Sequence, residues 1–117
     1  MFRIRLAFAV LLGAALMIVA SASAAVPTLK ATDGPGFTIT LKKGTTKVTK
    51  LKAGKYKIVV KDLSNLHNFH LTGPGVNKKT SVPALGTFTW SVTLKKGTYK
   101  FLCDPHAAIM KGSFKVT

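Results

Sequence analysis

Residues 87–94, TFTWSVTL, place Phe88, Trp90, Val92 and Leu94 at every second position, with Thr87, Thr89, Ser91 and Thr93 between them. A period of two is the spacing of a β-strand with one buried face and one wet face. The same alternation runs through KYKIVVKD, residues 55–62, where Lys55, Lys57 and Lys61 interleave with Tyr56, Ile58 and Val60. It continues in YKFLC, residues 99–103, which sets Tyr99, Phe101 and Cys103 on one face and so points the thiol inward. FTITL from Phe37, HNFHL from His67 and SFKVT at the C-terminal end also predict strands, with a weaker one in TKVTK. Between them lie the turn signals DGPG, KKG, KAG, TGPG and a second KKG. About six to eight short strands in a segment of this length predict an all-β domain, a two-sheet antiparallel sandwich or barrel. Helical periodicity is missing from these segments, although DPHAAIM is compatible with one short turn of helix.

LKAGKYKIVVKD and LKKGTYKFLCDP share Leu, Lys, Gly, Tyr, Lys and Asp in register from Leu51 and Leu94. A period repeated only twice does not make a repeat architecture, so the echo predicts two hairpin arms built alike, each closed by an Asp.

The first residues follow a different logic. Arg3 and Arg5 precede the apolar run LAFAVLLGAALMIVA, and small residues, SASAA, follow it. That order predicts a secretory signal peptide over residues 1–25, cleaved after Ala24 or Ala25, and export to the periplasm, the cell envelope or the medium. An uncleaved anchor is the alternative, since about 18 apolar residues suffice to span a bilayer. Cleavage would leave no transmembrane segment. Residues 26–117 then make a single small domain. Exported domains of this size often rely on disulfides, and the one cysteine cannot form an internal bridge.

The chain carries a formal net charge of +15, which loss of Arg3 and Arg5 with the leader brings to +13. What remains has no Glu and no Arg. An exported chain without Arg is a poor candidate for nucleic acid, whose bases and phosphates usually recruit guanidinium groups. An acidic redox protein or an anionic envelope surface fits the compartment better. Lysines on the strands also keep a small β domain soluble and its edges apart, which predicts a monomer.

The lone cysteine has company. FLCDPHAAIMKG, residues 101–112, holds Cys103, His106 and Met110, and one loop would bring all three to one end of the sandwich. HNFHL offers a fourth donor. His67 shares the face of Phe69 and Leu71 and is the better inward candidate, with His70 the alternative. Two imidazoles, a thiolate and a thioether describe a blue-copper electron-transfer site, whereas zinc gains little from a thioether. Bound metal would also occupy the otherwise unpaired thiol.

These residues resemble the cupredoxins. CDPHAAIMKG is similar to that family's ligand loop, its Cys-to-His part resembling plastocyanin, pseudoazurin and amicyanin and its His-to-Met part azurin. HNF resembles the family's His-Asn pair at the first ligand, and YKFLC the strand leading into the loop. The resemblance implies a small antiparallel Greek-key sandwich or barrel holding one type 1 copper. By it, His67, Cys103 and His106 are equatorial ligands, Met110 is axial, and Asn68 hydrogen-bonds towards the cysteine loop. It implies a one-electron carrier cycling between Cu(II) and Cu(I), with extracytoplasmic copper delivery as the alternative. An enzyme is not expected, because a second copper centre would need ligands of its own and only His70 is left to supply them.

Overall fold

A computed structural model describes residues 9–19 and 25–117. Arg3, Arg5 and residues 20–24, on which the predicted leader and its cleavage largely rest, lie outside the described residues. Residues 9–19 form no strand or helix, and among the described residues no helix is long and apolar enough to cross a membrane.

The remainder forms ten strands: β1 (Thr28–Asp33), β2 (Ile39–Lys43), β3 (Thr46–Lys47), β4 (Lys50–Leu51), β5 (Gly54–Asp62), β6 (His70–Gly73), β7 (Val76–Lys79), β8 (Gly86–Leu94), β9 (Gly97–Leu102) and β10 (Lys111–Val116). They lie in two five-stranded sheets, ordered β3-β2-β1-β5-β8 and β4-β10-β9-β6-β7. The two sheets form an open sandwich and do not close into a barrel. Most pairings are antiparallel, but β1 runs parallel to β5 and β4 parallel to β10. These two parallel pairings depart from the all-antiparallel expectation, because each joins strands that are not linked by a hairpin.

Alternation explains which face is buried. Leu29 and Ala31 of β1, Tyr56, Ile58 and Val60 of β5, and Val92 and Leu94 of β8 meet Leu71, Tyr99, Phe101, Phe114 and Val116 of the other sheet. Phe69 stacks on Phe101 with centroids 5.5 Å apart, and Tyr99 on Phe114 at 5.3 Å. Such pairs contribute about 0.5–1.5 kcal/mol beyond the area they bury. The ring of Phe101 lies over Gly112, its cross-strand partner, and a Cβ there would come within 2.2 Å of the ring. Gly112→Ala is therefore expected to cost about 3 kcal/mol, because a buried ring has nowhere to go. A urea melt reads it, and an unchanged midpoint would mean that the ring moves freely.

The echoed segments prove to serve different sheets, so they are not arms of one hairpin. What they share is a tyrosine that ties its strand to the preceding turn. Tyr56 donates to the Lys52 carbonyl at 2.7 Å, and the Tyr99 hydroxyl accepts from the Lys95 amide at 2.9 Å. Asp62 does end a strand, whereas Asp104 stands in a 3-10 turn, Asp104–His106, that replaces the expected turn of α-helix. Sequence reading missed β1 and β7. It also started the HNFHL strand too early, since β6 begins only at His70. Edge strands β3, β4 and β7 are short and carry Lys47, Lys50, Lys78 and Lys79, which discourages pairing with another chain. The uncharged, nine-residue β8 is the exception.

Candidate metal centre

β9 delivers Cys103. Its inward face, Tyr99 and Phe101, continues to the cysteine just past the strand end, where the thiol is fully buried. The chain then turns tightly, with Pro105 suiting the first turn of the 3-10 segment and the His106 amide donating to the Cys103 carbonyl at 3.0 Å. The loop is closed where the Cys103 amide donates to the Met110 carbonyl (3.0 Å), just before β10 starts. Met110 is fully buried at that closure.

His67 comes from the segment that crosses from β5 in one sheet to β6, the neighbour of β9 in the other. It is 3% exposed. Its Nε2–H donates to the Gly36 carbonyl at 2.7 Å, which leaves the lone pair on Nδ1 and fixes that atom as the one offered inward. Gly36 can aim this carbonyl because its backbone is left-handed, with φ of 66°. Phe37, next in that loop, packs against both imidazoles, with centroids 5.5 Å from His67 and 5.0 Å from His106.

The three donors converge. His67 Nδ1 and His106 Nδ1 are 3.0 Å apart, and Cys103 Sγ is 3.8 Å from the first and 3.5 Å from the second. A point equidistant from all three lies about 2.0 Å from each, close to the roughly 2.0–2.3 Å of imidazole and thiolate bonds to a divalent ion. The donor set and its spacing therefore fit a bound metal. It is the one such cluster among the described residues.

His70, the alternative donor, lies elsewhere. Its Nδ1 meets Asp104 Oδ1 and its Nε2 meets Asn77 Oδ1, both at 2.7 Å, so neither nitrogen is offered to the cluster. Asn68 is buried and reaches the ligand loop. Its Oδ1 accepts from the Asp104 amide at 2.8 Å, and its Nδ2 donates to Asp104 Oδ2 (2.8 Å) and the Thr80 carbonyl (3.1 Å). Burial alone would raise the Asp104 carboxyl, but the hydrogen bonds from His70 and Asn68, with the nearby charges of His70 and Lys79, hold it below the usual carboxylate range.

Gly36, Phe37, Asp104 and the His70 link were not found from sequence. Asp104 adjoins Cys103, but only the pairing of His70 with Leu102 shows which imidazole it meets. A second missed feature lies at the ends of β1 and β5. Asp33 and Asp62 occupy inward positions and are paired in register, 0% and 1% exposed. These strands run into the loops that carry Gly36 and His67, and the Leu63 amide donates to the Asp33 carbonyl at 3.0 Å.

An open two-sheet sandwich with a His-Cys-His cluster at one end defines a class, and comparison with known proteins gives the same one. The chain belongs to the cupredoxin-like domain family, whose profile matches residues 8–116. In that family's fold the His67, Cys103 and His106 cluster is a type 1 copper site. Among solved structures the chain is similar to reduced rusticyanin, at 18% identity over 82% of each chain with a TM-score of 0.58. It is also similar to dithionite-reduced auracyanin from the photosynthetic bacterium Roseiflexus castenholzii, at 20% identity over 80% of this chain and 99% of that one, TM-score 0.56. A multi-copper oxidase from Pediococcus acidilactici matches over 85% of this chain but 28% of its own, at 14% identity and TM-score 0.55. At such identities these likenesses concern the fold. A search of curated proteins finds no match.

Proposed function

We propose that the chain is an exported one-electron carrier, with residues 26–117 as its single domain, in which His67, Cys103 and His106 would hold copper and Met110 would add a weak fourth donor. Bound copper supplies one-electron cycling between Cu(II) and Cu(I). The carrying observation is the asymmetry of burial: His67 and Cys103 are enclosed, while His106 alone among the three is partly exposed. Its ring is the path to a partner, and exposed Phe37, Leu66, Ala107, Ala108 and Ile109 at this end form an apolar rim on which one could settle. Lys61, Lys78, Lys79 and Lys111 stand near this end and suit an acidic redox partner. Holding the ligands is the work of the Gly36 carbonyl, Asn68 and the Cys103–Met110 backbone bond. Such a scaffold leaves little to rearrange on electron transfer. No residue is assigned a catalytic role.

Adding Cu(II) to reduced residues 26–117 is expected to produce an intense visible thiolate-to-copper band, bleached by ascorbate, restored by oxidant and missing from Cys103→Ser. A faint band that Cys103→Ser retains would sink the carrier proposal and favour copper delivery. Met110→Leu is expected to keep the band and raise the reduction potential, since removing the thioether takes electron density from Cu(II). An unchanged potential in voltammetry would remove Met110 from the ligand set.

A further inference from the structure

Between residues 25 and 117 every acidic side chain lies at the metal end: Asp33 and Asp62 close β1 and β5, and Asp104 stands in the ligand turn. The opposite end is cationic. There Lys43, Lys50, Lys52 and Lys55, all exposed, line one open depression of about 520 Å³ together with Ala25 and Pro27, and no acidic residue borders it. In the β4–β10 pairing Lys50 stands directly opposite Lys115. Like charges placed so are destabilising unless an anion lies against them.

The N-terminal part of the chain meets the domain at the same place. Pro27 is held there by the Lys57 amide, which donates to its carbonyl at 3.0 Å. Upstream, Val10, Leu11, Leu12, Leu16, Met17, Ile18 and Val19 are all exposed. An apolar leader retained before cleavage would thus lead into this lysine-lined end, and after cleavage the lysines remain as the feature that a charged bilayer surface accepts. Ammonium groups without any guanidinium fork suit the diffuse charge of such a surface.

We propose that the lysine-lined end of the sandwich docks on a bilayer containing anionic phospholipid and holds the metal end away from it. This goes beyond electron transfer and needs no metal. Strands β5 and β8 span the molecule with nine residues each, roughly 30 Å. Lipid charge is screened within about 8–10 Å, so the docked protein keeps its His106 rim free for a soluble partner.

Among the described residues every buried core residue lies between Leu29 and Val116, and residues 9–19 contribute none, so residues 26–117 carry the core of the sandwich and are the form to test. The experiment is co-sedimentation with sucrose-loaded phosphatidylcholine vesicles, with and without phosphatidylglycerol. Binding is expected only with the anionic lipid. Combining Lys43→Gln, Lys50→Gln, Lys52→Gln and Lys55→Gln is expected to weaken it by more than about 100-fold, at about fivefold per lysine. Combining Lys61→Gln, Lys78→Gln, Lys79→Gln and Lys111→Gln removes equal charge at the metal end and is expected to cost less than about tenfold. Equal losses in the two variants, or no dependence on anionic lipid, would overturn the docking surface. So would tight binding of poly-glutamate without vesicle binding, which would assign this end to an acidic protein. If the distal variant does not melt cooperatively, Lys50→Gln alone is used, with a loss of about fivefold expected.

Discussion

Asp33→Asn should flatten the pH dependence of stability between about pH 4 and about pH 8, where the unsubstituted chain is expected to lose up to about 1.4 kcal/mol per pH unit. Asp33 lies beside Asp62 with no solvent exposure. Burial, a hydrogen bond with Asp62 and the charge of Asp62 push its carboxyl from 3.8 up to about 8. Without a proton between them, both Asp33 oxygens and Asp62 Oδ2 lack any donor. A proton shared between one Asp33 oxygen and Asp62 Oδ2 partners two of these three atoms and removes one of the two buried charges, and the folded chain therefore keeps a proton that the unfolded chain releases near 3.8. Where the folded state binds more protons, raising the pH drains stability. The contribution is complete below the unfolded value and gone once the pH passes the folded one. Asparagine carries its own N–H to Asp62 and needs no proton, so the variant should be the more stable of the two above about pH 8. Chemical denaturation across that range decides the matter. Parallel curves for the two proteins would mean that the pair holds no extra proton.

Asn68→Ala should lower metal affinity by about 10- to 100-fold while leaving all ligands in place. The side chain is 1% exposed and makes three hydrogen bonds, two of them to Asp104 beside the ligand cysteine. Alanine strands the Asp104 amide and removes one of the donors to its carboxylate. Leaving buried groups unpaired costs about 1–3 kcal/mol, so a drop in the apo melting point is also expected. The two readouts separate the roles: a lower melting point with unchanged affinity would make Asn68 a structural residue and not one that positions the loop. Asn68→Asp tests the same link from the other side. It keeps the acceptor for the Asp104 amide but sets a second carboxylate against Asp104, and metal affinity should again fall.

Period-two alternation made β5, β8 and β9 legible, because each has one wet face and its side chains sort by face. β1 escaped for a physical reason. Its inward row ends in a carboxylate, and TLKATD offers only Leu29 and Ala31 as apolar signals. β7 has one buried residue, Val76, ahead of three exposed polar ones, and shows no alternation at all. His67 was preferred over His70 by strand parity with Phe69 and Leu71, yet His67 precedes the strand. Asn68, which parity assigned to the opposite face, is buried too. The preference thus pointed to the residue that joins the cluster, although its orientation comes from the Gly36 carbonyl and not from a strand.

By itself the sequence determined that this chain is an all-β sandwich with a thiolate and an imidazole three residues apart at the end of an inward-facing strand. Those are local properties: alternation over a few residues, turn signals and spacing within a single loop. Only the tertiary structure decided which histidine completes the cluster and that Asp104 ties His70 to the loop. It alone brought Asp33 and Asp62 together in the core and gathered the acidic groups at one end and a lysine-lined depression at the other. Each of these depends on register between strands far apart in the chain. Side chains on strands as far apart in the chain as Lys50 and Lys115 meet only when the sheets pair, and no local pattern records which residues will then stand opposite one another.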